Sequence, residues 1–139
     1  MNELEYIVGL PPTENYQYAQ QIGNQLFVAG QVPLDQDIKL IGVGNPAAQV
    51  RQCLENLSTL IQLHGFSEHD IRQLTVYGVG DRQNLVDIWQ AVTTWFNDRV
   101  PPATLLGVTC LGYDHQLVEI GATIIKENVT SQEHSYTSP

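Results

Sequence analysis

Apolar positions recur with helical spacing in two stretches of the chain. In the first stretch, between residues 45 and 64, they fall three or four positions apart and so form one face of a helix. That face consists of Val50, Cys53, Leu54, Leu57, Leu60 and Ile61. Asn45 is a favoured N-cap, Pro46 suits the first helical turn, and Gly65 suits a left-handed stop. These signals predict a helix that begins at Pro46 and ends shortly before Gly65.

A second periodic stretch follows Asp81, which can cap a helix, and stops at Pro101 and Pro102, which cannot continue one. Its apolar face consists of Leu85, Ile88, Trp89, Val92, Trp95 and Phe96. The chain is therefore predicted to contain two amphipathic helices, each of which needs an apolar surface to pack against.

Strand-like runs surround these helices. Gly23 and Asn24 tolerate positive φ and separate two short runs, which predicts a hairpin within residues 18–30. Further strands are predicted over residues 71–79, 104–110 and 116–124. This order is typical of an α+β fold in which a mixed sheet carries both helices on one face. Residues 1–125 are expected to form a single domain, and the polar tail, residues 126–139, is expected to be disordered.

The charge balance argues against two classes of partner. The chain has 6 Lys and Arg residues against 15 Asp and Glu residues, which gives a formal net charge of −9. The basic residues are scattered singly, whereas binding to phosphates needs clustered cations. We therefore expect no nucleic-acid partner and no binding to an anionic membrane surface.

Nothing in the chain predicts export or membrane insertion. The acidic first residues lack the features of a signal peptide, and no apolar run approaches the roughly 20 residues that span a bilayer. Cys53 and Cys110 lie in apolar patterns and form no C-x-x-C pair, so we expect both to be buried, reduced thiols in a cytoplasmic protein. The histidines lack metal-ligand spacing, and no nucleotide-binding glycine motif is present. We expect neither a metal nor a cofactor.

Several segments, in order and at matching spacing, resemble the Rid (YjgF/YER057c/UK114) family. Residues 22–31, I-G-N-Q-L-F-V-A-G-Q, resemble the family pattern V-G-[DN]-x-[LV]-F-V-S-G-Q. Residues 100–108, V-P-P-A-T-L-L-G-V, resemble R-P-A-R-T-x-x-G-V, and residues 117–122, L-V-E-I-G-A, resemble L-V-E-I-E-A. The likeness covers about residues 16–125.

This resemblance implies a chorismate-mutase-like α+β subunit that assembles as a homotrimer, with a cleft for a small molecule between adjacent subunits. In the family's imine and enamine deaminases, an arginine anchors the substrate carboxylate and a glutamate handles the attacking water. Glu119 matches that glutamate and is the candidate catalytic residue. Tyr16 matches the pocket tyrosine, and Gly30 and Gln31 match the turn that shapes the pocket.

The main departure from the family pattern is Ala103, which stands where the substrate-anchoring arginine is expected. Pro101 before it and Gly107 after it fix the register, and Thr104 is the next candidate for ligand binding. Arg99 lies four residues upstream and is expected at the surface.

Three hypotheses for function follow. In the first, the trimer binds a small, largely neutral metabolite in its intersubunit clefts and lacks deaminase activity toward 2-iminoacids. In the second, Glu119 positions water for hydrolysis of an imine, enamine or amide that has no carboxylate. In the third, the trimer is a regulatory module that binds a partner protein.

Overall fold

A computed structural model describes residues 1–127 of the chain. Its helices and strands are α1 (Glu3–Ile7), β1 (Ala19–Ile22), β2 (Gln25–Val28), α2 (Pro46–Leu63), β3 (Ile71–Val79), α3 (Arg82–Trp95), β4 (Ala103–Val108) and β5 (Val118–Ile125), with a 3-10 turn at Glu68–Asp70. The two predicted amphipathic helices and the predicted strands are confirmed. Most of the predicted tail, residues 128–139, lies outside the described residues.

Both helices begin, and α2 ends, where the cap signals predicted, whereas α3 ends at Trp95, before the predicted stop at Pro101 and Pro102. The Asn45 side chain accepts a hydrogen bond from the backbone N–H of Ala48 at 3.1 Å and so satisfies a donor that has no partner within the helix. Asp81 does the same for Asn84 at 3.0 Å. Beyond α2, Gly65 has a φ of +83°, a conformation that few other residues tolerate. Local chemistry therefore accounts for the start of both long helices and for the end of α2.

The sheet has five strands in the order β1-β2-β5-β3-β4. β1 and β2 form the predicted hairpin, and β5 lies antiparallel between β2 and β3. β3 and β4 are parallel, joined by α3 in a β-α-β connection. β5 is therefore the middle strand, although it comes last in the sequence.

Both long helices pack on one face of this sheet. The main core combines buried residues of both helices, of three strands and of the loop after α2: Leu26, Val50, Cys53, Leu54, Leu57, Ile61, Phe66, Ile71, Leu74, Val76, Ile88, Val92, Val118, Ile120 and Ile124. Alternate residues of each strand enter the core, since side chains point to opposite sides of a strand. The α+β fold with both helices on one side of a mixed sheet is confirmed.

The opposite face of the sheet has no helix over it among residues 1–127. We call it the open sheet face, and it carries Ile22, Phe27, Tyr77, Val79, Leu106, Val108 and Ile125 beside polar residues such as Thr75 and Thr104. Three of its apolar side chains are strongly exposed: Ile22 at 61%, Phe27 at 49% and Leu106 at 44%. Ile22 and Phe27 lie at one edge of the sheet and Leu106 at the other.

A short N-terminal helix, α1, was not predicted from the sequence. Its five residues are too few to show a period, but Asn2 and Glu5 form a reciprocal capping box at its start. The Glu5 carboxylate is buried, and its Oε2 lies 3.9 Å from His64 Nε2 at the end of α2. The following segment is tied down by Tyr18, whose hydroxyl donates to the Pro11 carbonyl.

The prediction that both cysteines are buried is correct for one of them. Cys53 is fully buried in α2, and burial raises the pKa of its thiol well above the usual value. Cys110 is exposed. The apolar run that included Cys110 ends earlier than predicted, because β4 stops at Val108 and the chain turns into a loop.

Candidate functional site

The backbone after β2 continues alongside β5 and carries Gly30 to the middle of the sheet. The N–H of Gln31 donates to the Ile120 carbonyl at 2.8 Å, and the N–H of Ile120 donates to the Gln31 carbonyl at 3.0 Å. This isolated pair aligns residues 29–31 with the start of β5. Gly30 is thereby placed beside Glu119.

Glu119 points away from the core, as the alternation of β5 requires. Its neighbours Val118 and Ile120 are fully buried on the helix side, whereas Glu119 is half-buried on the other side. Its side chain lies against the Cα of Gly30, where a Cβ would stand only 3.0 Å from Glu119 Cδ. The absence of a side chain at residue 30 therefore makes room for the carboxylate.

Glu119 opens into a cleft of about 330 Å³ formed by four segments of the chain. We call it the Glu119 cleft. Its lining residues are Glu14, Tyr16, Ala29, Gly30, Val32, Gly112, Tyr113 and Glu119. The structure thus brings together three of the predicted site residues, Tyr16, Gly30 and Glu119, from opposite ends of the sequence.

Buried amide side chains hold the β4–β5 loop that forms one wall of this cleft. Gln116 is 3% exposed; its Oε1 accepts from the Tyr113 N–H at 3.2 Å, and its Nε2 donates to the Val118 carbonyl at 3.0 Å. The same Nε2 lies 3.4 Å from Glu119 Oε1, within reach of a long hydrogen bond. Gln116 therefore links Tyr113 on the loop to Glu119 on the strand.

A second buried amide, Gln49 of α2, fixes the other end of that loop. Its Oε1 accepts from the Leu117 N–H at 2.7 Å, and its Nε2 donates to the carbonyls of His115 at 2.9 Å and Gly42 at 3.1 Å. Since Gln49 is fully buried, each of these bonds replaces water that cannot reach the groups. The cleft wall is thus attached directly to the helix layer.

Tyr16 is 45% exposed at the cleft. The pKa of its hydroxyl is raised, first by burial and then by the negative charge that Tyr113, Glu119 and Glu14 place nearby. The hydroxyl therefore stays protonated at neutral pH, and Tyr16 offers a neutral hydrogen-bond donor or acceptor next to two carboxylates.

The remaining predicted site residues lie outside the Glu119 cleft of a single protomer. The Gln31 side chain is 1% exposed and donates to the Ala29 carbonyl at 2.8 Å, so its contribution is to shape the turn. Ala103 pairs with Leu74 on the helix side of the sheet and packs against the core. Thr104 is exposed on the open sheet face of β4, an edge strand. Ala103 thus faces the opposite side of the sheet from Glu119, and Thr104 lies two strands away from it.

Glu14, Gly112, Tyr113 and Gln116 were not predicted as site residues. All four lie in loops, where no periodic pattern marks them, and only the folded chain shows that the loops meet. Gln49 was not predicted as a site residue either, and its role is visible only from its hydrogen bonds.

A larger cavity of about 890 Å³ lies elsewhere, between the 3-10 turn and the end of α3. Arg72 and Arg99 line it together with Glu68, His69, Trp95 and neighbouring residues. Arg99 is exposed there, as predicted. The Glu119 cleft is the better candidate site because it unites the motif-matched carboxylate, tyrosine and glycine. Within residues 1–127, no group of three or more His, Cys, Asp and Glu side chains is placed to hold a metal ion.

Comparisons with known proteins agree with this fold and these motifs. The sequence model of the family described as Endoribonuclease L-PSP matches residues 7–126. A RutC family protein of Pyrococcus horikoshii is 32% identical over 128 residues, covering 91% of this chain and all of the relative. The crystal structure of the TM0215 protein of Thermotoga maritima superimposes with a TM-score of 0.76 at 27% identity, covering 86% of this chain and 92% of that one.

One relative carries the name of an activity. The 3-aminoacrylate deaminase RutC of Acinetobacter baylyi is 34% identical over 61 residues, which is 44% of this chain and 48% of the relative. The fold and the match over residues 7–126 define an α+β domain of the YjgF type. The chain belongs to the Endoribonuclease L-PSP family, also called the YjgF/RutC/Rid family. None of the helices described in residues 1–127 is long and apolar enough to cross a bilayer.

Proposed function

We propose that this chain forms a homotrimer whose intersubunit clefts bind a small metabolite that has no carboxylate. The observation that carries the proposal is the Glu119 cleft, which retains the carboxylate, tyrosine and glycine of the family pattern while Ala103 replaces the arginine. The proposal therefore includes the loss of 2-iminoacid deaminase activity.

The open sheet face supports assembly. Ile22 and Phe27 at one edge of the sheet and Leu106 at the other leave apolar side chains in water, and covering apolar surface is favourable at about 25 cal/mol per Å². An interface through this face would bury it in each subunit. It would also bring the edge strand β4 of one subunit toward a neighbour, where Thr104, which lies on this face, could meet the Glu119 cleft.

Ala103 sets the ligand class. An arginine binds a carboxylate through two parallel charge-assisted hydrogen bonds, and loss of one partner of such a buried pair costs on the order of 2–5 kcal/mol. An alanine methyl offers neither charge nor a hydrogen-bond donor. A substrate such as an iminoacid would lose its anchor, whereas a ligand without a carboxylate would lose nothing.

The same cleft retains the groups for one reaction, which is the alternative function. Glu119 is placed by Gly30 and lies 3.4 Å from Gln116 Nε2, so it can accept a proton from a water molecule held in the cleft. Addition of that water to an imine carbon, with return of its proton to nitrogen, would give a carbinolamine. Transfer of the carbinolamine hydroxyl proton to nitrogen, with cleavage of the C–N bond, would then release ammonia and leave a carbonyl compound. The substrate in this case is an imine, enamine or amide without a carboxylate.

The name of the family model does not transfer to this chain as an activity. RNA carries one negative phosphate per nucleotide, and this chain has a net charge of −9 with two carboxylates in its candidate site. We expect no ribonuclease activity.

Two measurements test the proposal. Sedimentation equilibrium should give the mass of three 15.5 kDa chains, and a monomer would contradict the intersubunit cleft. Hydrolysis of 2-aminoacrylate-derived imine should be absent in the native protein and should appear in Ala103→Arg if the rest of the cleft is competent. Robust turnover by the native chain would overturn the role given to Ala103.

A thermal-shift screen against uncharged and cationic metabolites tests ligand binding itself. A ligand that binds the folded state raises the melting temperature, and substitution of Tyr16 or Glu119 should remove that rise. If no ligand stabilises the trimer, the third hypothesis, a regulatory module for a partner protein, becomes the better explanation.

A further inference from the structure

We propose that the ligand of the Glu119 cleft is a cation: a protonated amine, amidine or iminium group held between the carboxylates of Glu14 and Glu119 and the rings of Tyr16 and Tyr113. The inference rests on the proposed function, since it takes this cleft as the ligand site. The inference goes beyond that function, because the absence of an arginine explains only why a carboxylate ligand is not bound and does not say which ligand is.

The charges that line the cleft all have one sign. Its ionisable lining residues are Glu14, Tyr16, Tyr113 and Glu119, and within residues 1–127 it has no Lys, Arg or His side chain in its lining. Two carboxylates that face one small volume attract a cation and repel an anion. The raised pKa of the Tyr16 hydroxyl has the same origin in part, since the negative charge of Glu119 and Glu14 opposes its ionisation.

The rings complete a site that suits a cation. A tyrosine ring attracts a cation through the negative charge of its face, and a carboxylate forms short, charge-assisted hydrogen bonds with ammonium or amidinium N–H groups. The Glu119 carboxylate lies against Gly30 through Oε2, and its Oε1 is 3.4 Å from Gln116 Nε2. Because a carboxylate can accept about four hydrogen bonds, it retains capacity for N–H donors of a ligand.

The alanine at position 103 also favours a cationic ligand. An arginine at that position would repel a cation, so the substitution to alanine removes a penalty as well as an anchor. The net charge of −9 adds a long-range attraction that concentrates cations around the whole protein. The site and the chain as a whole thus favour the same sign of ligand.

The test uses three probes of nearly equal shape and different charge: benzylammonium, benzyl alcohol and benzoate. Their affinities for the full chain are measured by isothermal titration and by NMR titration at low and moderate salt. We expect benzylammonium to bind about tenfold more tightly than benzyl alcohol, with benzoate the weakest. Added salt should reduce the preference for the amine, because the cleft is open to solvent.

Variants assign the preference to the cleft. Glu119→Gln and Glu14→Gln should each remove most of the preference for benzylammonium over benzyl alcohol. Glu55→Gln is the matched control, since it changes the net charge equally at an exposed position of α2 that does not line the cleft. If Glu55→Gln had the same effect, the preference would come from net charge, and the proposal would be wrong.

The outcomes separate this inference from the proposed function. Tightest binding of benzoate, abolished by Tyr16→Phe or Glu119→Gln, would overturn the cation proposal while leaving the cleft as a ligand site. Loss of that benzoate binding in Arg99→Gln would show that a cation reaches the cleft, and would again overturn it. Failure of all three probes to respond to any cleft substitution would overturn the proposed function itself.

Discussion

The Glu119 side chain lies directly against the Cα of Gly30. A Cβ at residue 30 would stand 3.0 Å from Glu119 Cδ and 3.2 Å from Cγ, closer than non-bonded carbon atoms approach. The two residues are joined through the backbone as well, because Gln31 and Ile120, one position further along each segment, exchange two hydrogen bonds. The position of the candidate catalytic carboxylate therefore depends on the absence of a side chain on the facing strand.

Gly30→Ala should move Glu119 without unfolding the protein. The carboxylate is the end of a flexible side chain and can rotate away, so we expect a loss of stability of no more than about 1 kcal/mol and a loss of probe affinity of about tenfold. Urea unfolding measures the stability, titration with benzylammonium measures the affinity, and the NMR signals of the glutamate carboxyl carbons report whether Glu119 has moved. Gly107→Ala is the control, because its Cβ would lie 3.4 Å from Leu85 in ordinary contact. Unchanged Glu119 signals in Gly30→Ala would contradict the prediction.

Gln49→Leu should be strongly destabilising. The substitution keeps the size of the side chain but leaves the Leu117 N–H and the carbonyls of His115 and Gly42 without their partner in a buried position. We expect a loss of about 2–4 kcal/mol of unfolding free energy, together with a mobile β4–β5 loop.

Gln62→Leu provides the matched control for that change. It is the same substitution on the same helix at an exposed position, and its effect should stay within about 0.5 kcal/mol. Urea unfolding of both variants makes the comparison. An equal loss in the two variants would mean that the buried hydrogen bonds of Gln49 contribute little.

Leu106→Glu should prevent assembly while leaving the protomer folded. Leu106 is 44% exposed on the open sheet face, so a charge there costs little in a monomer but is expensive inside an interface. Sedimentation and circular dichroism should report a folded monomer. Val43→Glu places the same charge at a loop residue that is 64% exposed and should remain assembled. A trimer formed by Leu106→Glu would show that the open face is not the interface.

Stability should fall in alkaline solution through Tyr18. Its hydroxyl donates to the Pro11 carbonyl, and its pKa is raised mainly by burial and further by the charges of Tyr16, Glu5 and Tyr113. Below the unfolded pKa of about 10 the hydroxyl is protonated in both states and stability is unaffected. Above it the unfolded state ionises first, so stability decreases as pH rises toward the folded pKa.

Unfolding in urea between pH 8 and 11 tests this prediction. Tyr18→Phe should lose about 1 kcal/mol at pH 8 with the hydrogen bond, and should show a shallower decline above pH 10. Tyr6→Phe, at a position 53% exposed, should leave the slope as it is in the native protein. If the unfolding free energy of all three proteins decreased equally with pH, the loss of stability in alkaline solution would come from groups other than Tyr18.

The sequence by itself determined the local structure of this protein. Both helices were predictable because their signals are local. Asn45 and Asp81 accept hydrogen bonds from backbone N–H groups three residues ahead, and Pro46 suits the first turn. The spacing of the apolar residues shows which face of each helix is buried. The residues around Glu119 match the family pattern, so the family could also be recognised from the sequence. Local patterns were misleading only where they were short: α1 has five residues, and the strand that was extended to Cys110 ends at Val108.

Only the tertiary structure decided what those residues form together. Strand pairing is non-local, so nothing in the sequence of β5 shows that it inserts between β2 and β3 or that Glu119 meets Gly30 there. Glu14, Tyr113 and Gln116 reach the cleft from loops that have no period. Their arrangement depends on buried amides such as Gln49, which satisfy the backbone of a distant segment because water is excluded. Local sequence motifs therefore identify the family, whereas only the tertiary structure shows which charged residues line the Glu119 cleft.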